Sequence, residues 1–132
     1  MRVGSSVRWL VGASLVAALG CGSSMGGYGG SGSAAPPPVA CTAANATATS
    51  SIEIAGMEFI PACAKVAAGT AVTFTNNDSI AHTVTSDAGQ AETFDSGALA
   101  QGAKFTHTFA SAETEAIHCS IHSTMHVTVI AQ

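Results

Sequence analysis

The seven residues from Cys119 to Met125 constrain the fold more than any other part of the chain. They carry a thiol, an imidazole and a thioether, on Cys119, His122 and Met125. A second imidazole, His82, stands far earlier in the sequence. These side chains are a set of soft metal ligands. The fold must therefore hold His82 rigidly against a distant loop that supplies the other three ligands.

The ligand types favour copper over zinc. Two imidazoles and one thiolate in a plane, with a weak axial thioether, are typical of copper sites that transfer electrons. Structural zinc usually takes four strong Cys or His ligands, and a thioether is too weak a donor to complete such a set. The sequence therefore predicts one copper ion held by His82, Cys119, His122 and Met125. Zinc or no metal remains the alternative.

Short segments of alternating polarity indicate β-strands from residue 52 onward. The apolar positions are Ile52 and Ile54, Val72 and Phe74, Phe105 and Phe109 with His107 between them, and Val127 and Val129. A period of two, bounded by Gly, Asn, Asp and Ser, is typical of half-buried strands. Several such strands in so short a chain predict an all-β fold with a single β-sandwich.

At these residues the chain resembles the small blue copper proteins, the cupredoxins of the plastocyanin, amicyanin and pseudoazurin kind. Beyond the ligands, the similarity covers Phe59-Ile60-Pro61, Val66 to Phe74, Phe94-Asp95-Ser96-Gly97 and Gly102 to Phe105. The resemblance implies a Greek-key sandwich with one type-1 copper ion that cycles between Cu(I) and Cu(II). It also implies that His122 has one ring edge exposed and is the electron port, near which redox partner proteins dock transiently.

Several polar residues beside the ligands have two interpretations. Thr83 and Ser120 are candidates to orient the ligand loop and tune the thiolate through hydrogen bonds. An ordinary role as polar strand and loop residues is equally consistent with the sequence. His126 follows Met125 and is a weak candidate for an alternative ligand, because adjacent residues in a strand face opposite sides.

The N-terminus has the features of an export signal. Arg2 and Arg8 precede an apolar run from Trp9 to Leu19, which is broken only by small residues and is followed by Gly20 and Cys21. A charged start, a short apolar stretch and small residues at the cut indicate a signal peptide at residues 1–20. The apolar run is too short to cross a membrane as a stable helix.

The residues around the predicted cut resemble a bacterial lipobox, Leu19-Gly20-Cys21. This resemblance implies that Cys21 is lipidated and that the protein is exported and anchored on the periplasmic side of a bacterial membrane. Ordinary signal cleavage, with Cys21 left free or removed, is the alternative.

Residues 21–50 are rich in Gly, Ser, Ala, Thr and Pro and include Pro36-Pro37-Pro38. Such a composition cannot bury a core, so it predicts a flexible tether. A plain low-complexity spacer is the alternative. Residues 51–132 then form the copper-binding domain.

Two cysteines remain after Cys21 is assigned to lipid and Cys119 to metal. By elimination, Cys41 and Cys63 are predicted to form a disulfide, which an exported chain permits. Such a bond would support a small domain. Two free thiols are the alternative.

Three functional classes are compatible with one copper site, and an electron carrier is the prediction. An enzyme such as a multicopper oxidase or a copper nitrite reductase is disfavoured, because the chain has no His-x-His motif and Ser120 follows the copper cysteine. Copper storage or delivery is the runner-up. Delivery proteins commonly use several exposed methionines or cysteines, whereas Met25 lies in the tether and Met57 fits a core position of a strand.

The charged residues indicate which kind of partner the protein can bind. Without the signal, Lys65 and Lys104 stand against eight acidic residues. An acidic surface disfavours nucleic acid and favours a basic patch on a redox partner. We also expect a monomer that meets the membrane only through its lipid anchor.

Overall fold

The computed structural model describes residues 40–132. The predictions for the signal peptide, for lipidation of Cys21 and for most of the tether concern residues 1–39 and lie outside the described residues. Within residues 40–132, no helical segment has the length and apolar character needed to span a bilayer.

Nine strands form the regular structure of residues 40–132. They are β1 (Thr47–Ala48), β2 (Ser51–Ala55), β3 (Glu58–Ile60), β4 (Cys63–Val66), β5 (Ala71–Asn76), β6 (Thr85–Ser86), β7 (Lys104–Thr108), β8 (Glu113–His118) and β9 (His126–Ala131). One sheet has the order β1-β4-β9-β8-β6 and the other the order β3-β2-β5-β7. The prediction of an all-β sandwich is confirmed.

The alternating side chains form the core between the two sheets. Ile52 and Ile54 of β2 are fully buried, as are Val72 and Phe74 of β5. Val129 of β9, from the other sheet, belongs to the same apolar cluster. Burying a side chain of this size contributes about 1.5–3 kcal/mol. This core makes the sandwich a rigid support for whatever its loops carry.

The hairpin of β8 and β9 determines where the ligand loop lies. The two strands pair antiparallel from Glu113 opposite Ala131 to His118 opposite His126. The connection between them is the segment from Cys119 to Met125. Three of the four predicted ligands therefore emerge together at one end of the sandwich.

The folded part of the chain begins earlier than residue 51. β1 pairs in parallel with β4, and Cys41 forms a disulfide with Cys63 at the start of β4. Part of the segment predicted as a tether, residues 21–50, is thus joined to the sandwich through β1 and Cys41. Composition missed this segment because β1 has only two residues and no large apolar side chain. The predicted pairing of Cys41 with Cys63 is confirmed.

The turn between β2 and β3 corrects the prediction for Met57. Gly56 and Met57 both have positive φ, 63° and 66°, as a two-residue hairpin turn with this twist requires. Met57 therefore lies in the turn and is 40% exposed, not in the core. The Asp78 carboxylate accepts hydrogen bonds from the amides of Gly56, at 2.7 Å, and Met57, at 3.0 Å. These bonds hold the turn in a conformation that a methionine rarely adopts.

Candidate metal centre

Three of the predicted ligands converge at the end of the sandwich. Cys119 Sγ lies 3.8 Å from His82 Nδ1 and 3.7 Å from His122 Nδ1, and the two Nδ1 atoms are 3.1 Å apart. Donor atoms that share one ion at bond lengths of about 2.0–2.3 Å lie roughly 3–4 Å apart. The spacing therefore fits a single metal ion. Among the described residues, these three form the group of close Cys, His and acidic donors.

His82 is positioned by the backbone of a neighbouring segment. Its amide donates to Leu99 O at 3.2 Å, and the Leu99 amide donates back to His82 O at 2.7 Å. The buried Asn76 side chain donates to Ile80 O and to Leu99 O, both at 2.8 Å. Asn76 thus ties the loop before His82 to the segment that pairs with it. This arrangement makes His82 the fixed member of the ligand set.

Asp78 orients the His82 ring. His82 Nε2 lies 3.0 Å from Asp78 Oδ2, so Nε2 carries the proton and donates, and Nδ1 presents its lone pair to the site. Hydrogen bonds from the Met57 and Gly56 amides, and then from His82, hold the pKa of Asp78 below its usual value. Asp78 therefore remains an acceptor and joins the metal centre to the turn between β2 and β3.

The Cys119 environment favours a thiolate. Burial opposes ionisation, but the Thr83 amide donates to Sγ at 3.3 Å, and contacts from His82 and from the backbone of His122 and Ile121 act in the same direction. The pKa of the Cys119 thiol is lowered as a result to about 6. The thiolate is the form that binds metal. The site is therefore prepared for an ion near neutral pH.

The ligand loop is closed by its own hydrogen bonds. The Cys119 amide donates to Met125 O at 3.1 Å, and the Met125 amide donates to His122 O at 3.1 Å. Thr83 Oγ1 accepts a hydrogen bond from the Ser120 amide at 2.7 Å. Thr83 and Ser120 thus join the His82 segment to the ligand loop.

Burial separates the four ligands into an inner set and an outer residue. His82 and Cys119 are fully buried, and Met125 is 2% exposed. His122 is only partly buried, and its neighbour Ile121 is 51% exposed. His122 is thus the ligand that approaches the surface.

The remaining histidines have other partners. His118 Nδ1 lies 2.6 Å from Asp87 Oδ1, and His118 points away from Cys119, as adjacent residues in a strand do. His126 is exposed and donates to Ser123 O at 3.0 Å. It does not belong to the converging donor group, and the structure gives no support to the alternative-ligand hypothesis.

Sequence reasoning missed the residues that position His82. Asn76 and Asp78 stand in the polar run before it, and neither was predicted to have a role. The spacing of Asp78 and His82 could have indicated this contact, because Asp78 lies only four residues before His82. An Asp or Asn side chain in a turn commonly forms hydrogen bonds with nearby groups.

The family model of copper binding proteins, plastocyanin/azurin family, matches residues 46–132. No match was found among curated proteins.

Solved structures show the same fold. A purple cupredoxin from Nitrosopumilus maritimus is 27% identical with a TM-score of 0.57, over 62% of this chain and 98% of that one. A reduced amicyanin variant is 25% identical with a TM-score of 0.60, over 70% of this chain and 90% of that one.

The copper-containing nitrite reductase of Thermus scotoductus SA-01 is 24% identical with a TM-score of 0.59, over 62% of this chain. This chain spans about a fifth of the reductase, 22% of its length. The likeness to the reductase shows the fold alone.

The ligand geometry and the family match lead to one conclusion: the chain belongs to the plastocyanin/azurin family of copper-binding proteins, as a cupredoxin whose His82, Cys119, His122 and Met125 form a type-1 copper site.

Proposed function

We propose that this protein is an exported, lipid-anchored electron carrier that shuttles single electrons between redox partner proteins. The observation that carries the proposal is the buried Cys119 sulfur, 3.7–3.8 Å from two imidazole nitrogens. Copper bound to such a thiolate accepts and releases one electron. The chain's own task is to keep the ligands in place while the charge changes.

The hydrogen bonds around the site perform that task. Leu99 fixes the backbone of His82, Asp78 fixes its ring, and the Thr83 amide bonds to the Cys119 sulfur. Ligands held independently of the ion do not need to move when its charge changes, and a preorganised site of this kind keeps the cost of electron transfer low.

Electrons pass through His122 in this proposal. It is the most accessible of the three converging ligands, and Ile121 and Ile80, at 51% and 45% exposure, supply apolar surface in the adjoining loops. Exposed apolar patches mark sites where partners dock. The excess of acidic residues favours a partner with a basic rim, and it disfavours nucleic acid. The protein acts as a monomer.

We propose a carrier without catalytic activity of its own. The resemblance to nitrite reductase covers only a fifth of that enzyme, and the chain lacks His-x-His motifs. Copper delivery is the second candidate. It requires exchangeable ligands, whereas His82 and Cys119 are fully buried, and this burial favours retention of the ion.

The location follows from the N-terminal sequence. Residues 1–20 are proposed to direct export, and Cys21 to carry the lipid that holds the protein on the periplasmic side of a bacterial membrane. Metabolic labelling with a fatty acid, compared with a Cys21→Ala variant, tests this part separately. Label retained by the variant would contradict it.

Visible absorption during a Cu(II) titration of the full chain, followed by a reductant, tests the main proposal. We expect an intense blue band that saturates at one copper per chain and bleaches and returns reversibly. Cys119→Ala should lack the band, and His118→Ala, whose ring faces away from the site, should keep it. Absence of the band would contradict the blue-copper assignment, and rapid loss of copper to a chelator would favour delivery.

A further inference from the structure

Three hydroxyl side chains lie together beside the buried Cys119 sulfur, and we name them the hydroxyl triad: Thr83, Thr85 and Ser120. The Oγ1 atoms of Thr83 and Thr85 are 3.1 Å apart, and Thr85 Oγ1 lies 2.8 Å from Ser120 Oγ. The Thr83 hydroxyl is also placed to donate to Ser120 Oγ, at 3.2 Å. Each oxygen of the triad thus has the other two as hydrogen-bond partners. Thr83 and Ser120 already join the His82 segment to the ligand loop, whereas Thr85 has no role in that connection.

The triad extends from the interior of the protein to its surface. Thr83 is 6% exposed, Thr85 is half-buried and Ser120 is exposed. The backbone of Thr85 is held on two sides, because β6 pairs with β8 at His118 and Thr85 forms a bridge with Asp95. The sheet, and not the ligand loop, therefore places the Thr85 hydroxyl.

The Thr83 hydroxyl has one proton, and several acceptors compete for it. A threonine hydroxyl donates one hydrogen bond and accepts up to two. The Ser120 amide already occupies one lone pair of Thr83 Oγ1, at 2.7 Å. The Thr83 proton can go to Thr85 Oγ1 at 3.1 Å, to Ser120 Oγ at 3.2 Å or to Cys119 Sγ at 3.9 Å. The two oxygens are nearer, and 3.9 Å is long even for sulfur, so the triad holds this proton away from the thiolate.

The number of donors on the Cys119 sulfur matters for copper. The Thr83 amide donates to Sγ at 3.3 Å. Hydrogen bonding around a ligand sulfur is one of the features that tune the potential of a metal site. A donor withdraws negative charge from the thiolate, which weakens its bond to Cu(II) more than its bond to Cu(I). Each added donor therefore favours the reduced form and raises the reduction potential.

We propose that Thr85 is a positioning residue that sets the reduction potential of the copper site by keeping the Thr83 hydroxyl directed away from Cys119. Without the Thr85 hydroxyl, the Thr83 proton loses one of the two oxygens that attract it and turns more often toward the sulfur. The hydrogen bonds of the Thr85 side chain go to Thr83 and Ser120, so Thr85 acts through its neighbours. The inference rests on the proposed function and deepens it, because the potential decides which partners can give or take the electron.

Voltammetry of the copper-loaded full chain tests this role with Thr85→Val, which keeps the branched shape of the side chain and removes its hydroxyl. A single hydrogen bond changes an equilibrium constant by about twofold to tenfold. Because Ser120 still shares the proton, we expect a change of about threefold in favour of Cu(I). At about 59 mV per tenfold change, this raises the potential by about 30 mV.

Three variants serve as comparisons for Thr85→Val. Thr85→Ser retains the hydroxyl and should have the wild-type potential. Thr85→Ala also lacks the hydroxyl and should show the same rise, so it tests the proposal if Thr85→Val fails to fold. Thr114→Val, at an exposed position of β8, is the matched control for the loss of a hydroxyl and should leave the potential unchanged.

A Thr83→Val background separates this route from a general disturbance of the site. With the Thr83 hydroxyl removed, adding Thr85→Val should not change the potential, because no proton remains to be redirected. Such a double-mutant cycle isolates the interaction between the two side chains. The same shift in both backgrounds would overturn the proposal, since it would show that Thr85 acts by another route.

Two further results would overturn the proposal. The first is an unchanged or lower potential in Thr85→Val. The second is a rise in Thr85→Ser as large as that in Thr85→Val, which would mean that the shape of the side chain matters and its hydroxyl does not. The blue band and circular dichroism show whether each variant is folded and loaded. A blue band with an unshifted potential would contradict this inference alone, whereas absence of the band in wild type would contradict the blue-copper assignment as well.

Discussion

Replacing Glu115 with glutamine should remove much of the pH dependence of the protein's folding stability near neutral pH. The substitution keeps the size of the side chain and removes its ability to ionise. Glu115 is fully buried and its oxygens are unpaired among the described residues. Its pKa is raised from 4.5 to about 7 in the folded protein.

The sign follows from the difference in pKa between the two states. Between pH 4.5 and about 7 the folded state binds the proton on Glu115, whereas the unfolded state has released it. The contribution of Glu115 to the free energy of unfolding is therefore fully present below its unfolded-state pKa of 4.5, and it is lost as the pH rises through its folded-state pKa of about 7. The shift corresponds to about 3 kcal/mol at 1.36 kcal/mol per pKa unit. Burial, and then repulsion from Glu113 and Glu92, causes this shift in the pKa of Glu115. Screening reduces the effect, and we expect about 1–2 kcal/mol.

Urea denaturation of the metal-free chain at about pH 5 and about pH 8 measures this difference. Wild type should lose about 1–2 kcal/mol more than Glu115→Gln between the two conditions. Comparing the two proteins cancels the titration of the copper ligands, which they share. Glu53→Gln, on an exposed position of β2, is the matched control and should behave as wild type. An equal loss in wild type and Glu115→Gln would refute the reasoning, because it would mean that Glu115 ionises without cost.

Three further outcomes are expected. Replacing both Cys41 and Cys63 with alanine should lower the free energy of unfolding by about 3 kcal/mol, because the bond closes a loop with a sequence separation of 22; an unchanged urea midpoint would contradict this. Met125→Leu should raise the copper reduction potential and Met125→Gln should lower it, because the axial donor tunes the preference for Cu(II). Each shift should be on the order of 60 mV, which is a tenfold change in the equilibrium constant of a one-electron couple. Equal potentials by voltammetry would exclude contact between the thioether and the ion. Asp78→Asn should speed copper loss to a chelator by roughly tenfold. The Asp78 carboxylate accepts three hydrogen bonds, from the Gly56 and Met57 amides and from His82, and an Asn side chain cannot accept all of them. An unchanged rate of copper loss would show that the backbone alone fixes the His82 ring.

The sequence predicted the ligands because three of them are neighbours in the chain and their chemistry is restrictive. It predicted the core strands because Ile52, Ile54, Val72 and Phe74 alternate strictly. The parallel pairing of β2 with β5 and of β4 with β9 was not predictable, because such pairing depends on contacts between distant segments.

The buried position of Glu115 had a signal in the sequence that was not used. Glu115 lies two residues before Ile117, in phase with the core-facing positions of β8. The same pattern placed His107 between Phe105 and Phe109, and the structure shows its side chain 19% exposed beside Glu92. What periodicity could not provide is the contact between His107 of β7 and Glu92, which lies 15 residues earlier in the chain.

The ligand loop has a consequence for how such a protein can change over time. Cys119 to Met125 begins and ends on two paired strands, and its internal bonds join Cys119 to Met125 and Met125 to His122. An insertion or deletion within it would alter three ligands together, while His82 and the sandwich core would keep their positions. Substitutions that change three of the four copper ligands can therefore be made within one segment, residues 119–125. Evolution or an engineer can exchange that segment as a unit.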